Sequence, residues 1–256
     1  MAEAGAATRP SPDAPAPLAS VSRDDPGMTA ERRHFLVVVL AVVSGAIDAI
    51  GFLGLGGAFT SVMTGNMVLL GLGAGTGRGT LVAHAALAIA AFVIGCVVGA
   101  RVAGTHRPDD GVWPMAVTRA LSVQLGVILL FAIGWEASGG HPSATLQLPL
   151  LAANAVALGM QSSTTQRFGV SGLSTTYLTG TLTGVVIRLA SGGGLRAAAN
   201  SMQILAALVV GATAGGALTL HAPVFAPLVP VLGLACVVAF AARRVRSPGQ
   251  GRAGTP

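Results

Sequence analysis

Long apolar stretches separated by short polar segments dominate the chain between residues 34 and 243. Six stretches are long enough to cross about 30 Å of hydrocarbon, which takes about 20 helical residues; they are 34–54, 81–104, 114–135, 146–163, 201–220 and 223–243. Hydrophobic residues make up 52% of the chain and charged residues 9%, more apolar surface than a soluble core absorbs. Abundant glycine and few aromatics favour packed helices over a β-barrel. The pattern predicts an all-α polytopic membrane protein.

Two further apolar segments, at about 58–76 and 173–190, are interrupted by hydroxyl and amide side chains. The first contains TSVMTGN and the second STTYLTGTLT, and their Thr-Gly pairs lie 115 positions apart. The small-residue sequence GCVVG at 95–99 returns as GATAG at 211–215, 116 positions later. Such small-xxx-small patterns are typical of helix contact faces. The near-constant spacing predicts a two-fold internal repeat, with units at about 34–135 and 146–243.

The number of spans depends on whether the two interrupted segments cross the bilayer. If both cross, there are eight spans and four arginines face outward: Arg101, Arg107, Arg119 and Arg167. If both are re-entrant, there are six full spans and only Arg78 faces outward, which agrees better with the preference of arginine for the cytoplasmic side. Three full spans per unit would invert the second unit relative to the first and place both termini in the cytoplasm.

The ends of the chain differ in composition from the apolar part. Residues 1–33 are rich in alanine, proline and charge and lack the apolar core of a signal peptide, and residues 244–256 are polar and basic. These segments are predicted to be disordered cytoplasmic tails flanking a single membrane domain at 34–243.

The polar groups of the interrupted segments are the first candidates for a functional site. Irregular backbone survives in hydrocarbon only where protein buries it or where it faces a wet cavity. Ser61 or Thr64 could cap a half-helix there, and Asn66 could donate and accept hydrogen bonds. The alternative is that such hydroxyls bond the preceding turn and merely pack. The candidate pathway residues are Asp48, Ser61, Thr64, Gly65, Asn66, Gln161, Thr176, Thr179, Gly180 and Thr181.

Asp48 is the only acidic residue well inside an apolar stretch. An intramembrane carboxylate is unfavourable unless it faces a cavity or a partner, so Asp48 is either a proton or cation site or a hydrogen-bond partner for another helix. Gln161 is its rough counterpart in the second unit, and Asn154 lies two turns earlier on the same helix face. Both amides could bind a solute or form interhelical hydrogen bonds.

Several classes of function lack their motifs. The two cysteines lie in apolar stretches, the histidines show no metal-ligand spacing, and the chain has no nucleophile elbow, HExxH sequence or phosphate-binding loop. The arginines lie mostly at span ends and in the tails, where they set topology and do not form a nucleic-acid surface. We therefore expect no enzymatic activity, no cofactor or metal, and no nucleic-acid partner.

The motifs resemble a known family. SGAIDAIGFLGLGGAFTSVMTGNMVLLGLG and LGMQSSTTQRFGVSGLSTTYLTGTLTGVV are similar to segments of the YoaK family of bacterial integral membrane proteins, whose function is unknown. The resemblance covers about residues 34–243, and it rests on Gly45, Asp48, Thr64, Gly65 and Asn66 in the first motif and on Gly159, Gln161, Thr179, Gly180 and Thr181 in the second. It implies a multi-pass protein of the cytoplasmic (inner) membrane and assigns no substrate.

Two functions are consistent with these features. The first is a transporter or channel for a small solute, with the site between the two Thr-Gly segments and Asp48 coupling to a proton or cation. The second is a non-transporting membrane scaffold or sensor, in which the tails engage a partner. The lipid bilayer is the partner expected in both cases, and the sequence leaves a homo-oligomer open.

Overall fold

The computed structural model describes residues 29–104, 113–167, 175–192 and 194–245. These residues form eight α-helices and one short 3₁₀ turn at Pro223–Phe225, with no β-strand among them, which confirms the all-α prediction. The helices are α1 (Ala30–Gly54), α2 (Met63–Gly75), α3 (Gly79–Ala103), α4 (Met115–Ala137), α5 (Ala144–Arg167), α6 (Thr175–Ala190), α7 (Leu195–His221) and α8 (Leu228–Val245). Thr29 caps α1 by accepting a hydrogen bond from the Arg32 N–H. Most of the two predicted tails lies outside the described residues.

Five helical segments in the described part of the chain are long and apolar enough to cross a membrane: Glu31–Gly54, Gly79–Ala103, Met115–Ala137, Ala198–His221 and Pro223–Arg243. They coincide with five of the six predicted stretches, which agrees with the prediction of a multi-pass membrane protein. The sixth stretch, 146–163, lies in α5, which has 24 residues but is not apolar enough to join the five. Helices α2 and α6 have 13 and 16 residues and are only about 20–24 Å long.

Glycines bring two pairs of parallel helices into backbone contact. A Cβ atom on Gly211 of α7 would lie 2.0 Å from the Val42 carbonyl oxygen of α1, and one on Gly215 would lie 2.6 Å from the Ala46 oxygen. On α3, Gly95 lies against Val156 of α5 in the same way, and Gly99 lies against Met160. The GCVVG and GATAG segments are therefore contact faces, as their small residues predict.

The other contacts fix the remaining helix directions. Helix α4 runs antiparallel to α5, because Gln124 pairs with Gln161 at one end and Gly134 lies against Leu150 at the other. Helices α1 and α8 also run antiparallel to each other, since one apolar cluster holds the start of α1 and the end of α8, while the other holds Leu55 and Ala226. Ser44 of α1 bonds Gln161 near the end of α5, whereas Ile50 packs with Leu151 near its start. Helices α1, α4 and α7 thus point one way and α3, α5 and α8 the other.

The α1–α2 connection turns back into the protein. Gly56 and Gly57 have φ values of 91° and 79°, a left-handed conformation that favours glycine. They turn the chain so that Leu55 and Ala58 are fully buried with Ile50, Trp135 and other apolar residues. The indole N–H of Trp135 donates to the Pro223 carbonyl at 2.7 Å and ties the end of α4 to the α7–α8 connection. The loop before α2 is consequently part of the core.

A tight turn joins α2 to α3 as a helical hairpin. Gly77 has φ 70°, and the Arg78 N–H donates to the Gly73 carbonyl at 2.9 Å. Gly73 packs against Val82 on α3. Because α3 is antiparallel to α1 and starts at the level where α1 ends, α2 leads back toward that same end of the bundle.

Candidate functional site

Asp48 holds the loop that precedes α2. Its Oδ1 accepts the backbone N–H groups of Thr60 and Ser61, both at 2.8 Å, and the Thr60 hydroxyl at 2.9 Å. Its Oδ2 accepts the Ser61 hydroxyl. All three side chains are buried. A carboxylate can accept several hydrogen bonds on its two oxygens, so a single side chain of α1 satisfies four donors of the loop.

Asn66 bonds the backbone of Phe59, the residue before Thr60 and Ser61 in the same loop. Its Oδ1 accepts the Phe59 N–H at 2.9 Å, and its Nδ2 donates to the Phe59 carbonyl at 2.6 Å. Asn66 lies in the first turn of α2 and is fully buried. The side-chain amide thus pairs with both backbone polar groups of Phe59, as a peptide group of a neighbouring chain segment would. Non-helical backbone inside a membrane protein needs hydrogen-bond partners from the protein itself. Asp48 and Asn66 supply such partners for backbone groups of Phe59, Thr60 and Ser61.

These contacts place α2 relative to α1. Asp48 lies six residues before the end of α1, which is about 9 Å along the helix axis. The start of α2 therefore lies at an interior level of α1 and not beyond its end. No side chain caps α2, and Val62 occupies its N-cap position.

Gln161 belongs to a second polar group, distinct from the loop. Its Oε1 accepts Nε2 of Gln124 at 2.8 Å, and its Nε2 donates to the Ser44 hydroxyl at 2.9 Å. The three side chains are buried and link α1, α4 and α5. This arrangement is the interhelical hydrogen bond that the sequence offered as one of two interpretations of Gln161.

The Thr-Gly pairs themselves lie on exposed helix surfaces. Thr64 is exposed and Gly65 partly exposed on the first turn of α2. On α6, Thr179 and Gly180 are exposed and Thr181 is partly exposed. The Thr176 side chain lies outside the described residues. The structure thus brings Asp48, Ser61 and Asn66 together, keeps Gln161 in a separate network, and leaves the two Thr-Gly pairs on their own helices.

Three participants were not among the candidate residues. Thr60 belongs to the quoted TSVMTGN segment, so its hydroxyl was a visible signal. Ser44 and Gln124 are polar residues inside apolar stretches, and the amide of Gln124 was the stronger signal.

A few buried polar atoms have no hydrogen-bond partner among the described residues. They are Nε2 of His84, Oε1 of Gln124, both amide atoms of Asn154, and Oγ1 of Thr164. In the same part of the chain, no three His, Cys, Asp or Glu side chains come close enough to hold a metal ion.

We expect Asn66→Leu to destabilise the protein, because it leaves the N–H and carbonyl of Phe59 buried without partners. Each unpaired group costs about 1–3 kcal/mol. Thermal unfolding in detergent, followed by tryptophan fluorescence, measures the effect. Thr64→Val, an apolar substitution on the exposed side of the same turn, is the control and should unfold near the wild-type temperature. Equal unfolding temperatures for the two variants would show that Asn66 does not hold the loop.

Comparison with known proteins supports the membrane assignment. The family model described as "Protein of unknown function (DUF1275)" matches residues 36–241. The chain is also 33% identical over 150 residues to the UPF0700 transmembrane protein YoaK of Bacillus subtilis (strain 168). That match covers 59% of this chain and 64% of the relative's length. No solved structure gives a significant match. The family match over most of the chain, together with this relative, shows that the chain belongs to the YoaK (DUF1275) family of membrane proteins.

Proposed function

We propose that this chain is a transporter or channel for a small solute, built from two inverted units whose half-helices border the solute pathway. The observation that carries the proposal is the return of the α1–α2 loop to the level of Asp48. A loop that carries hydroxyl groups could have stayed at the surface, where water satisfies them. Instead, buried polar groups hold a helix start inside the bundle, an arrangement used where membrane proteins bind solutes at mid-depth.

The glycine contacts support the internal repeat. The α1–α7 contact has Gly211 on Val42, and the α3–α5 contact has Gly95 on Val156. Val42 and Val156 are 114 positions apart, as are Ala46 and Met160, the partners of Gly215 and Gly99. Exchanging the two units therefore turns one contact into the other. Because α1 and α5 run antiparallel, the axis that relates the units would lie in the membrane plane.

The same register revises one counterpart. Gly45 packs on α7 as Gly159 packs on α3, and these glycines are also 114 positions apart. Counting from them, the position equivalent to Asp48 is Ser162, which is buried. Gln161, which the sequence suggested as the counterpart of Asp48, would correspond to Ile47. The isoleucine side chain cannot form hydrogen bonds, so the bonds from Gln161 to Ser44 and Gln124 have no counterpart in the first unit.

Helix directions support six spans with two re-entrant segments. Helices α1, α3, α4, α5, α7 and α8 alternate in direction along the chain, as successive spans must. Helix α2 starts at the level of Asp48 and returns to the end of the bundle that it came from, so it would not cross. We propose the corresponding geometry for α6, with both termini in the cytoplasm and the protein in the inner membrane of a bacterium. No enzymatic activity is part of the proposal.

Within this proposal the predicted pathway residues divide into two roles. Asp48, Ser61 and Asn66 hold the start of α2, whereas Thr64 and Gly65 lie on its accessible side. The N-terminus of a half-helix offers unpaired N–H groups and a partial positive charge. A solute passing α2 would meet those groups and the Thr64 hydroxyl. Thr179 and Gly180 would play the same part on α6.

Cysteine labelling tests whether water reaches the Thr-Gly pairs. In a background lacking Cys96 and Cys236, we expect cysteines at 64 and 179 to react with a small water-soluble reagent in membranes. Cysteines at 61 and 66 should stay protected, because those positions are buried. Cysteine at the exposed position 133 of α4 is the control for a surface that faces lipid. Protection at 64 and 179 equal to that at 133 would contradict a solute pathway and favour a scaffold or sensor.

A further inference from the structure

We propose that the carboxamide of Asn154 binds the solute, and that the solute is a small uncharged molecule with both a hydrogen-bond donor and an acceptor. This inference rests on the proposed transport function and adds a substrate class and a contact residue. Asn154 is fully buried, and neither its Nδ2 nor its Oδ1 has a hydrogen-bond partner among the described residues. Burying an amide without partners is strongly unfavourable, so the fold retains this side chain against its own stability.

The neighbouring amide on α5 shows what a structural role looks like. Gln161 has a partner for both its oxygen and its nitrogen, on two other helices. Asn154 lies seven residues earlier, two turns along the same helix face. Both amides are buried in the same bundle, yet of the two only Gln161 forms hydrogen bonds to other helices. The contrast separates a packing amide from an amide whose hydrogen-bonding capacity is still available.

The position of Asn154 agrees with a place on the pathway. Since Gln161 bonds Ser44 of α1 and Gln124 of α4, its face of α5 is turned toward those two helices. Val156 and Gly159 contact α3 on the other side of α5. Axial rise places Asn154 about 10 Å above Gln161, and Asp48 about 6 Å above Ser44 in the same direction. Asn154 is therefore within about 5 Å of the depth at which Asp48 holds the start of α2.

The chemistry of the buried groups indicates an uncharged ligand. The carboxylate of Asp48 already accepts four hydrogen bonds from the loop. The buried atoms that lack a partner in the described residues belong to amide, hydroxyl and imidazole groups. An amide presents a donor and an acceptor side by side, which matches hydroxyl or amide compounds of a few heavy atoms. Glycerol and urea represent these two classes.

The test compares Asn154→Leu with Gln161→Leu in the full-length protein. Both changes replace a buried amide by an apolar side chain, and only the second removes two interhelical hydrogen bonds. Thermal unfolding is measured in detergent. The flux of glycerol and urea is measured by light scattering from swelling proteoliposomes, with protein-free liposomes for the background. The probes that carry charged groups are potassium acetate, which is ionic, and glycine, which is zwitterionic.

We expect wild-type protein to raise the rate of glycerol or urea swelling above the background, and Asn154→Leu to reduce the increase at least tenfold. The unfolding temperature of Asn154→Leu should equal or exceed that of the wild type, while Gln161→Leu should unfold earlier. Unchanged neutral flux in Asn154→Leu would overturn the inference and leave the transport proposal standing. Flux of the charged probes alone would also overturn the inference and leave the transport proposal standing.

If no probe crosses, the transport proposal fails, and stability then decides the inference. Asn154→Leu unfolding as early as Gln161→Leu would mean that Asn154 has a structural partner, which overturns it. If the unfolding temperature of Asn154→Leu is unchanged or raised, both proteins are heated with glycerol or urea at millimolar concentration, below the range in which these compounds act as general stabiliser or denaturant. A rise in the unfolding temperature of the wild type but not of Asn154→Leu would support a neutral binding site without transport, and no difference between the two proteins would overturn the inference.

Discussion

Gly211→Ala is expected to lower the yield and the unfolding temperature of the protein sharply. A Cβ atom at this position would lie 2.0 Å from the Val42 carbonyl oxygen, and a backbone atom of a packed helix cannot move aside as a flexible side chain can. Overpacking of this kind costs about 1–3 kcal/mol, and more where two helices must separate along their length. Size-exclusion chromatography in detergent and thermal unfolding measure the loss.

Gly126→Ala is the matched control for this prediction. It introduces the same methyl group in the middle of α4, where nothing lies within 4 Å of the added atom. Alanine is favoured over glycine in helices by about 1 kcal/mol, so this variant should be as stable as the wild type or slightly more stable. If Gly211→Ala behaved like Gly126→Ala, α1 and α7 could not be in the backbone contact described above.

Asp48→Ala is expected to have the second large effect. It would leave two backbone N–H groups and two hydroxyls of the α1–α2 loop without their acceptor. Each unpaired buried donor costs about 1–3 kcal/mol, and hydroxyls can recover part of this by turning to other acceptors. We expect the folded protein to be lost or to unfold at a much lower temperature, as measured by tryptophan fluorescence.

Asp48→Asn separates the anchoring role from the proton or cation role. The amide oxygen can take the three hydrogen bonds now made to Oδ1, and the amide nitrogen can donate to the Ser61 hydroxyl, which then acts as an acceptor. We therefore expect the asparagine variant to stay folded with an unfolding temperature close to that of the wild type. Ion-coupled flux would be lost in this variant if Asp48 carries a proton or cation, and retained if Asp48 only holds the loop. An asparagine variant as unstable as the alanine variant would contradict the hydrogen-bond exchange.

Periodicity and composition were sufficient to predict the helical class and most of the spanning helices. The sequence also predicted a span at 146–163, but α5, which contains this stretch, is less apolar than the other five segments because it carries polar residues such as Asn154 and Gln161. Hydropathy counts such residues as if they faced lipid, whereas both side chains are buried among other helices. The approximate spacing of the Thr-Gly pairs also indicated a repeat. It could not give the register of every helix in the proposed repeat, in which the glycine contacts would pair α1 with α5 at 114 positions and α3 with α7 at 116.

The site could be predicted only in part. Asp48 needed a partner on energetic grounds, but a sequence does not show which donors a loop will present. The partners are 12 and 13 residues away, across a turn that depends on two left-handed glycines. The pairing of Gln124 with Gln161 spans 37 residues and depends on how α4 packs against α5. Helix packing sets such distances, and no local pattern encodes them.

The side of the membrane on which residue 78 lies decides whether α2 is re-entrant, as proposed above. Single cysteines replace Thr29, before α1, and Arg78, between α2 and α3, in the background lacking Cys96 and Cys236. Both positions are exposed, and a membrane-impermeant reagent applied to oriented vesicles reports the side of each. With α2 re-entrant, we expect positions 29 and 78 to be labelled from opposite sides. Labelling of both from the same side would mean that α2 crosses the bilayer, and the six-span, inverted-unit proposal would be wrong.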